Sequence, residues 1–185
     1  MNLLSKNLKK AGIFNTVLIL IAIGFRAYQL INSSMLVKID GVLCILALLF
    51  GVFYSFDGYK KDAGKYYRGF MGLYFISSVV SIATPIEAIL DSTYVFDEAT
   101  IIAIFNIVIA VCIFLLGFKK DLGKEKSLNL SYTVVALDIG KLAIHLFTKA
   151  SMSIISIDVS NLVLGLFTCA FVIVKYLDKQ SRGSK

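Results

Sequence analysis

Charge is scarce in this chain of 185 residues: Asp, Glu, Lys and Arg make up 17% of it, against about 25% in an ordinary soluble domain. Histidine and proline occur once each, and tryptophan is absent. One histidine with no CxxC or HxxxH spacing leaves no ligand set for a protein-built zinc centre, so no metal or cofactor is expected. GxSxG and HExxH are missing too, and with them the hydrolase elbow and zincin chemistry. The three cysteines, Cys44, Cys112 and Cys169, all fall inside apolar runs. An odd number so placed is no disulfide framework; they act as small apolar side chains.

What is abundant is hydrocarbon. Hydrophobic residues account for 58% of the chain, where soluble domains carry about 45–50%, and the mean hydropathy is +0.82. A bilayer core about 30 Å thick takes roughly 20 apolar residues per helical crossing. Six runs meet that need: 13–31, 37–56, 69–90, 99–118, 130–149 and 157–176. They predict an all-α integral membrane protein of six transmembrane helices, residues 1–185 forming a single polytopic domain. "SKNLKK" ahead of the first run looks like the positive region of a signal peptide. The apolar stretch behind it exceeds the usual 7–15 residues and lacks a clear cleavage site, so a retained first helix is expected. Phe and Tyr serve as lipid and interface contacts.

A short basic phrase is written twice. "GYKKDAGK" at 58–65 returns as "GFKKDLGK" at 117–124, with six of eight positions identical. Two copies of one loop belong on one side of a membrane, which demands an even number of crossings between them, and two runs lie there. The expected repeat unit is a helical hairpin, three in all: 13–56, 69–118 and 130–176. Charge supports the same topology. Of 19 basic residues, 15 fall on the side of the octets and the chain ends; the exceptions are Arg26, Lys38, Lys141 and Lys149. The opposite side carries Asp40, Glu87, Asp91, Asp97, Glu98 and Asp158. Lys/Arg-rich short loops stay in the cytoplasm, so both termini and both octets are expected there, in a multi-pass protein of the cell membrane.

The net charge of +7 is thereby a topology signal, and no nucleic-acid partner is expected. Within the octets, Lys60, Lys61, Lys65, Lys119, Lys120 and Lys124 suit anionic lipid headgroups and the negative ends of helices. Gly58 and Gly117 suit positive-φ helix caps, and Gly64 and Gly123 the chain reversal.

Polar residues inside the runs carry the functional expectation. In "YTVVALDIGKLAIHLFTKA" at 132–150, Asp138, Lys141, His145 and Lys149 recur at helical spacing, within about 80° of one another on a helix. An ionisable group at the bilayer centre costs about 2.5–3.5 kcal/mol on insertion scales and survives by pairing or by facing a wet cavity. Asp138 and Lys141, one turn apart, can pair within the helix. Arg26 in the first run, Glu87 beyond Pro85 in the third, and Asp158 with Asn161 in the sixth sit at middle-to-outer depth. Together they predict an outward-facing polar cavity lined by the first, third, fifth and sixth helices.

Three readings follow. The first is a solute-binding or transport protein whose cavity holds a small polar or zwitterionic solute through Asp138, Lys141, His145, Arg26, Glu87, Asp158 and Asn161. Its size and span count resemble those of small substrate-capture subunits of multi-component importers, a likeness of shape that no motif carries. With no nucleotide-binding loop in the chain, ATP drive would come from a partner subunit. The second is a membrane scaffold or accessory subunit, homo-oligomeric or part of a complex, whose buried ions specify packing. The third is an intramembrane lipid-modifying enzyme with His145 as base oriented by Asp138. Against it, "DGYKK" at 57–61 shares only two letters with the DGxxAR-type acid cluster of phospholipid alcohol-transferases. No catalytic residue is assigned, and an enzyme is the less favoured expectation.

Overall fold

Helices account for nearly all of the computed structural model, which describes residues 17–24, 26–28, 30–31, 34–57, 63–91, 98–119 and 122–183; among these there is no strand. The elements are α1 (Val17–Tyr28), α2 (Met35–Asp57), α3 (Ala63–Asp91), α4 (Glu98–Phe118), α5 (Lys124–Phe147) and α6 (Met152–Gly183). Among the described residues, four segments are long and apolar enough to cross a membrane: Met35–Phe53, Glu98–Phe118, Lys124–Phe147 and Met152–Ile173. Within the described stretch α1 is shorter, and α3 runs for 29 residues with Ser77, Ser78, Ser81 and Pro85 along its second half.

Successive helices from α2 to α6 pack antiparallel. Gly69 of α3 lies against the Phe50 ring of α2. Tyr67 of α3 donates to the Leu116 carbonyl of α4 at 3.2 Å, and Asn106 of α4 donates to the Ser81 carbonyl at 3.0 Å. The Phe105 ring meets Gly140 of α5, and Tyr176 of α6 donates to the Leu122 carbonyl, just ahead of α5, at 2.6 Å. Phe171 of α6 returns to Gly51 of α2, closing the ring, and α1 packs where α2 meets α6. Asp57, Ala63, Phe118 and Lys124 therefore share one end of the bundle; Met35, Glu98, Phe147 and Met152 share the other. Lys65, Lys119 and Lys124 are exposed at the first end, while Lys60, Lys61 and Lys120 lie outside the described residues.

Apolar side chains cover the outside. Ile104, Ile107, Val108, Val111 and Phe114 of α4 are all exposed, whereas Arg26, Ser131, Asp138, Ser160 and Thr168 are fully buried. A water-soluble protein sorts these residue types the other way; a helix bundle in hydrocarbon does not need to. Near the octet end the interior is aromatic and apolar, with Phe70 edge-on to Phe171 at 5.0 Å and Met71, Ile113 and Leu116 around them. Ionic groups concentrate toward the other end.

The octet glycines work differently from the sequence expectation. No described glycine has positive φ. Gly117 is helical within α4, and a Cβ there would stand 2.9 Å from Cβ of Met71, so the position serves close packing of α3 on α4. Gly64 is inside α3, and Gly123 is the extended N-cap of α5, at φ −60° and ψ 163°. Gly58 lies outside the described residues. The residue that takes a left-handed turn is Lys149, with φ 54°, just past the end of α5. That breaks the predicted stripe after His145 and leaves Lys149 exposed.

Candidate functional site

Small polar side chains in the helices mostly satisfy their own backbones. Ser78 donates to the Tyr74 carbonyl at 2.9 Å, Ser156 to Met152 at 2.7 Å and Thr168 to Leu164 at 3.0 Å, the local bond open to Ser and Thr inside a helix. The charged groups cannot do this, and they find one another, within a helix or across helices.

Two buried knots result. In the first, Arg26 of α1 reaches Asp40 of α2 at 3.1 Å through Nη1 and Asn161 of α6 at 2.6 Å through Nη2. Ser77 of α3 donates to the other oxygen of Asp40. Arg26 is wholly buried and Asp40 nearly so. One guanidinium thus ties α1, α2 and α6, as its fork of donors permits. In the second, Lys141 Nζ lies 2.8 Å from Asp138 Oδ1 on the same helix and donates to Asn106 Oδ1 of α4 at 3.1 Å. Tyr74 of α3 donates to Asp138 Oδ2 at 3.4 Å. On the far side, a Cβ at Gly165 of α6 would stand 2.9 Å from Asp138 Oδ2, so glycine is what lets α6 come that close.

A third group stands nearer the end of the bundle. His145 Nδ1 lies 2.5 Å from Asp158 Oδ2 of α6, and Nε2 lies 3.5 Å from Glu98 Oε1 at the start of α4. Thr148 donates to the same Glu98 oxygen at 3.1 Å. The His145 side chain is 13% exposed, Asp158 4% and Glu98 37%.

These groups surround a cavity of about 360 Å³. Asp40, Ser81, Asn106, Lys141, Asp158 and Asn161 give it polar walls, with Glu98 and His145 toward its mouth. Val37, Pro85, Ile102, Ile154 and Ile157 supply an apolar wall. It reaches from Glu98 and Ile154 near the helix ends inward to Asn106 and Lys141, on the end away from the octets. Among the described residues no three His, Cys, Asp or Glu side chains come together as a metal site.

The sequence candidates divide accordingly. Lys141, His145, Asp158 and Asn161 line the cavity; Asp138 stands behind Lys141, and Arg26 behind Asp40 and Asn161. Glu87 is helical within α3, but its side chain lies outside the described residues. The lining helices are α2 to α6, so α2 and α4 contribute where α1 was expected. Asp138 does not orient His145: it is held by Lys141 and Tyr74, and Asp158 takes the histidine. Asp40, Glu98, Asn106 and Tyr74 were missed as site residues. The first two read as acids toward the helix ends away from the octets, where they lie, and nothing in a single helix shows that they face inward. Comparison with protein-family models, curated proteins and solved structures finds no match to this chain.

Proposed function

We propose that this chain is a polytopic protein of the cell membrane, of six transmembrane helices in three hairpins with octets and termini in the cytoplasm. It binds a small polar or zwitterionic solute in a cavity open toward the outside, as a transporter or its solute-capture subunit. The observation that carries the reading is the cavity itself. About 360 Å³ lies in the range of small-molecule sites, and ionisable groups from α2, α4, α5 and α6 converge on it inside a bundle whose exterior is apolar. Packing alone does not require a void between charges. A volume of this size matches a small solute held whole.

Thermal stability of the purified protein in mild detergent, read against a wide panel of solutes, ions and lipids, tests this. A ligand that binds the folded state alone raises the midpoint with concentration. The pair Asp138→Asn with Lys141→Met is the matching variant: it keeps the fold and loses ligand protection. If the fold fails and no solute ever protects it, the protein is a scaffold. That second reading is favoured by the Arg26 knot, whose guanidinium is fully buried behind the cavity wall and ties three helices together. Topology is tested separately by Lys65→Cys and Lys119→Cys in intact cells, both protected from a membrane-impermeant maleimide. Labelling of either one alone places the octets on opposite faces and ends the hairpin scheme.

A further inference from the structure

The inner charges of the site balance one against one: Arg26 with Asp40, and Lys141 with Asp138. The mouth does not balance. Two carboxylates, Asp158 and Glu98, face one imidazole, and each ring nitrogen of His145 is turned to one of them. A neutral imidazole has a single N–H and can satisfy one such partner, while its other nitrogen would present a lone pair to an oxygen. With both carboxyls ionised, both contacts are favourable only when the ring carries both protons. The imidazolium is therefore the resident cation of this corner, and its departure as a proton leaves two acids beside an apolar wall of Ile102, Ile154 and Ile157.

We infer that the cavity takes a small organic monocation with an apolar body, a protonated amine, and that it binds in exchange for the proton of His145. The inference rests on the solute-binding reading and names its substrate class and its coupling. An ammonium group between Asp158 and Glu98 replaces the charge that His145 gives up, so the buried carboxylate of Asp158, 4% exposed, is never left without a cation. The apolar wall receives the hydrocarbon body. An anion would meet Glu98, Asp158 and Asp40 there, with Lys141 already engaged by Asp138 and Asn106. Groups facing His145 come from each packed element: Glu98 from α4, Asp158 from α6, Asp40 across the cavity from α2, and Lys141 from its own helix. Proton movement is complete in this scheme: one leaves Nδ1 or Nε2 to water through the mouth for each cation bound.

Four probes of matched size separate the possibilities: cyclohexylammonium, cyclohexanol, cyclohexanecarboxylate and the zwitterion trans-4-aminocyclohexanecarboxylate. Each is titrated by calorimetry into the full chain in lipid nanodiscs, in two buffers of different ionisation heat and at mildly acidic and mildly alkaline pH. The cation is expected to bind at least about tenfold tighter than the others. Its affinity rises with pH by up to about tenfold per unit, the limit for one exchanged proton, and the buffer dependence of the heat reads that proton directly. His145→Gln flattens the pH dependence; Glu98→Gln, at the rim where the fold is least at stake, weakens the cation and not the alcohol. A preference for the anion, alcohol or zwitterion overturns the cation inference and leaves the solute-binding reading standing. Cation binding with no proton released overturns the exchange. Silence from all four probes overturns this inference, while the solute-binding reading is judged by the wider panel.

Discussion

The Arg26 knot and the His145 corner each set a basic side chain against carboxylate in the same half of the bundle, yet they solve opposite problems. Around Arg26 every charge has an opposite charge, the paired side chains are 0–7% exposed, and four helices meet. Around His145 one titratable ring serves two acids, exposure reaches 37% at Glu98, and a cavity adjoins. A buried pair with good geometry holds a bundle in register but yields nothing to a ligand. A corner whose charge depends on a proton can trade with one. Depth decides which role a group takes: where water is excluded, an unpaired ion costs several kcal/mol, so only stoichiometric pairs persist there.

The largest expected effect is at the knot. Arg26→Met strands Asp40 without its cation and is expected to destabilise the protein by about 3–5 kcal/mol, the cost of leaving one buried partner of an ion pair alone. Adding a substitution of Asp40 by Asn in the same chain is expected to restore most of that, as read by denaturant or thermal midpoints in mild detergent. If the single variant unfolds no more easily than the native chain, the knot is not a structural tie and the contrast with the corner collapses.

The Asp138–Lys141 pair sits between the two regimes and sharpens the contrast. Lys141→Met alone is expected to cost nearly as much as the Arg26 variant. The double change with Asp138→Asn recovers stability, since replacing a whole buried pair is often neutral. A smaller effect is expected one helix away. Gly165→Ala places a methyl 2.9 Å from Asp138 Oδ2 and 3.4 Å from Val134 Cγ1, and overpacking of this kind costs about 1–3 kcal/mol. Because Asp138 is held by Lys141, it cannot simply swing aside. The alanine variant combined with Asp138→Asn and Lys141→Met should lose less than it does alone, a coupling that a double-mutant cycle measures.

How legible each feature is follows from where its partner lies in the chain. Long apolar helices can be read because lipid leaves no alternative to some 20 uninterrupted residues. The Asp138–Lys141 contact is visible in the same way: both ends are on one helix, one turn apart. His145 is another matter. Asp138 and Asp158 are both reasonable partners by composition, and only the antiparallel packing of α5 on α6 brings Asp158, 13 residues on, to the ring at 2.5 Å. Glu98 is 47 positions upstream and reads as an ordinary first-turn acid of α4. Tyr74, in an aromatic and apolar stretch, shows no sign in the sequence that its hydroxyl will meet a carboxylate. Gly117 misleads for a physical reason. Glycine before lysines at a helix end is the pattern of a cap, and nothing local distinguishes it from a glycine kept small for Met71 of a neighbouring helix.

The smallest stability effect is expected at the mouth. Glu98 is more than a third exposed, its contact with His145 Nε2 is 3.5 Å, and its other partner is the Thr148 hydroxyl. Solvent screens such a pair, so Glu98→Gln should shift stability by less than about 1 kcal/mol. Raising the salt concentration should narrow the difference from the native chain further, whereas the Arg26 variant's deficit should persist, because buried pairs are screened far less. Were Glu98→Gln as damaging as Arg26→Met, and equally indifferent to salt, the mouth would be a second structural tie with no charge to spare for a ligand. A small, salt-sensitive change leaves Glu98 where a binding group belongs: fixed well enough to be aimed at the cavity, and too loosely held to be needed by the fold.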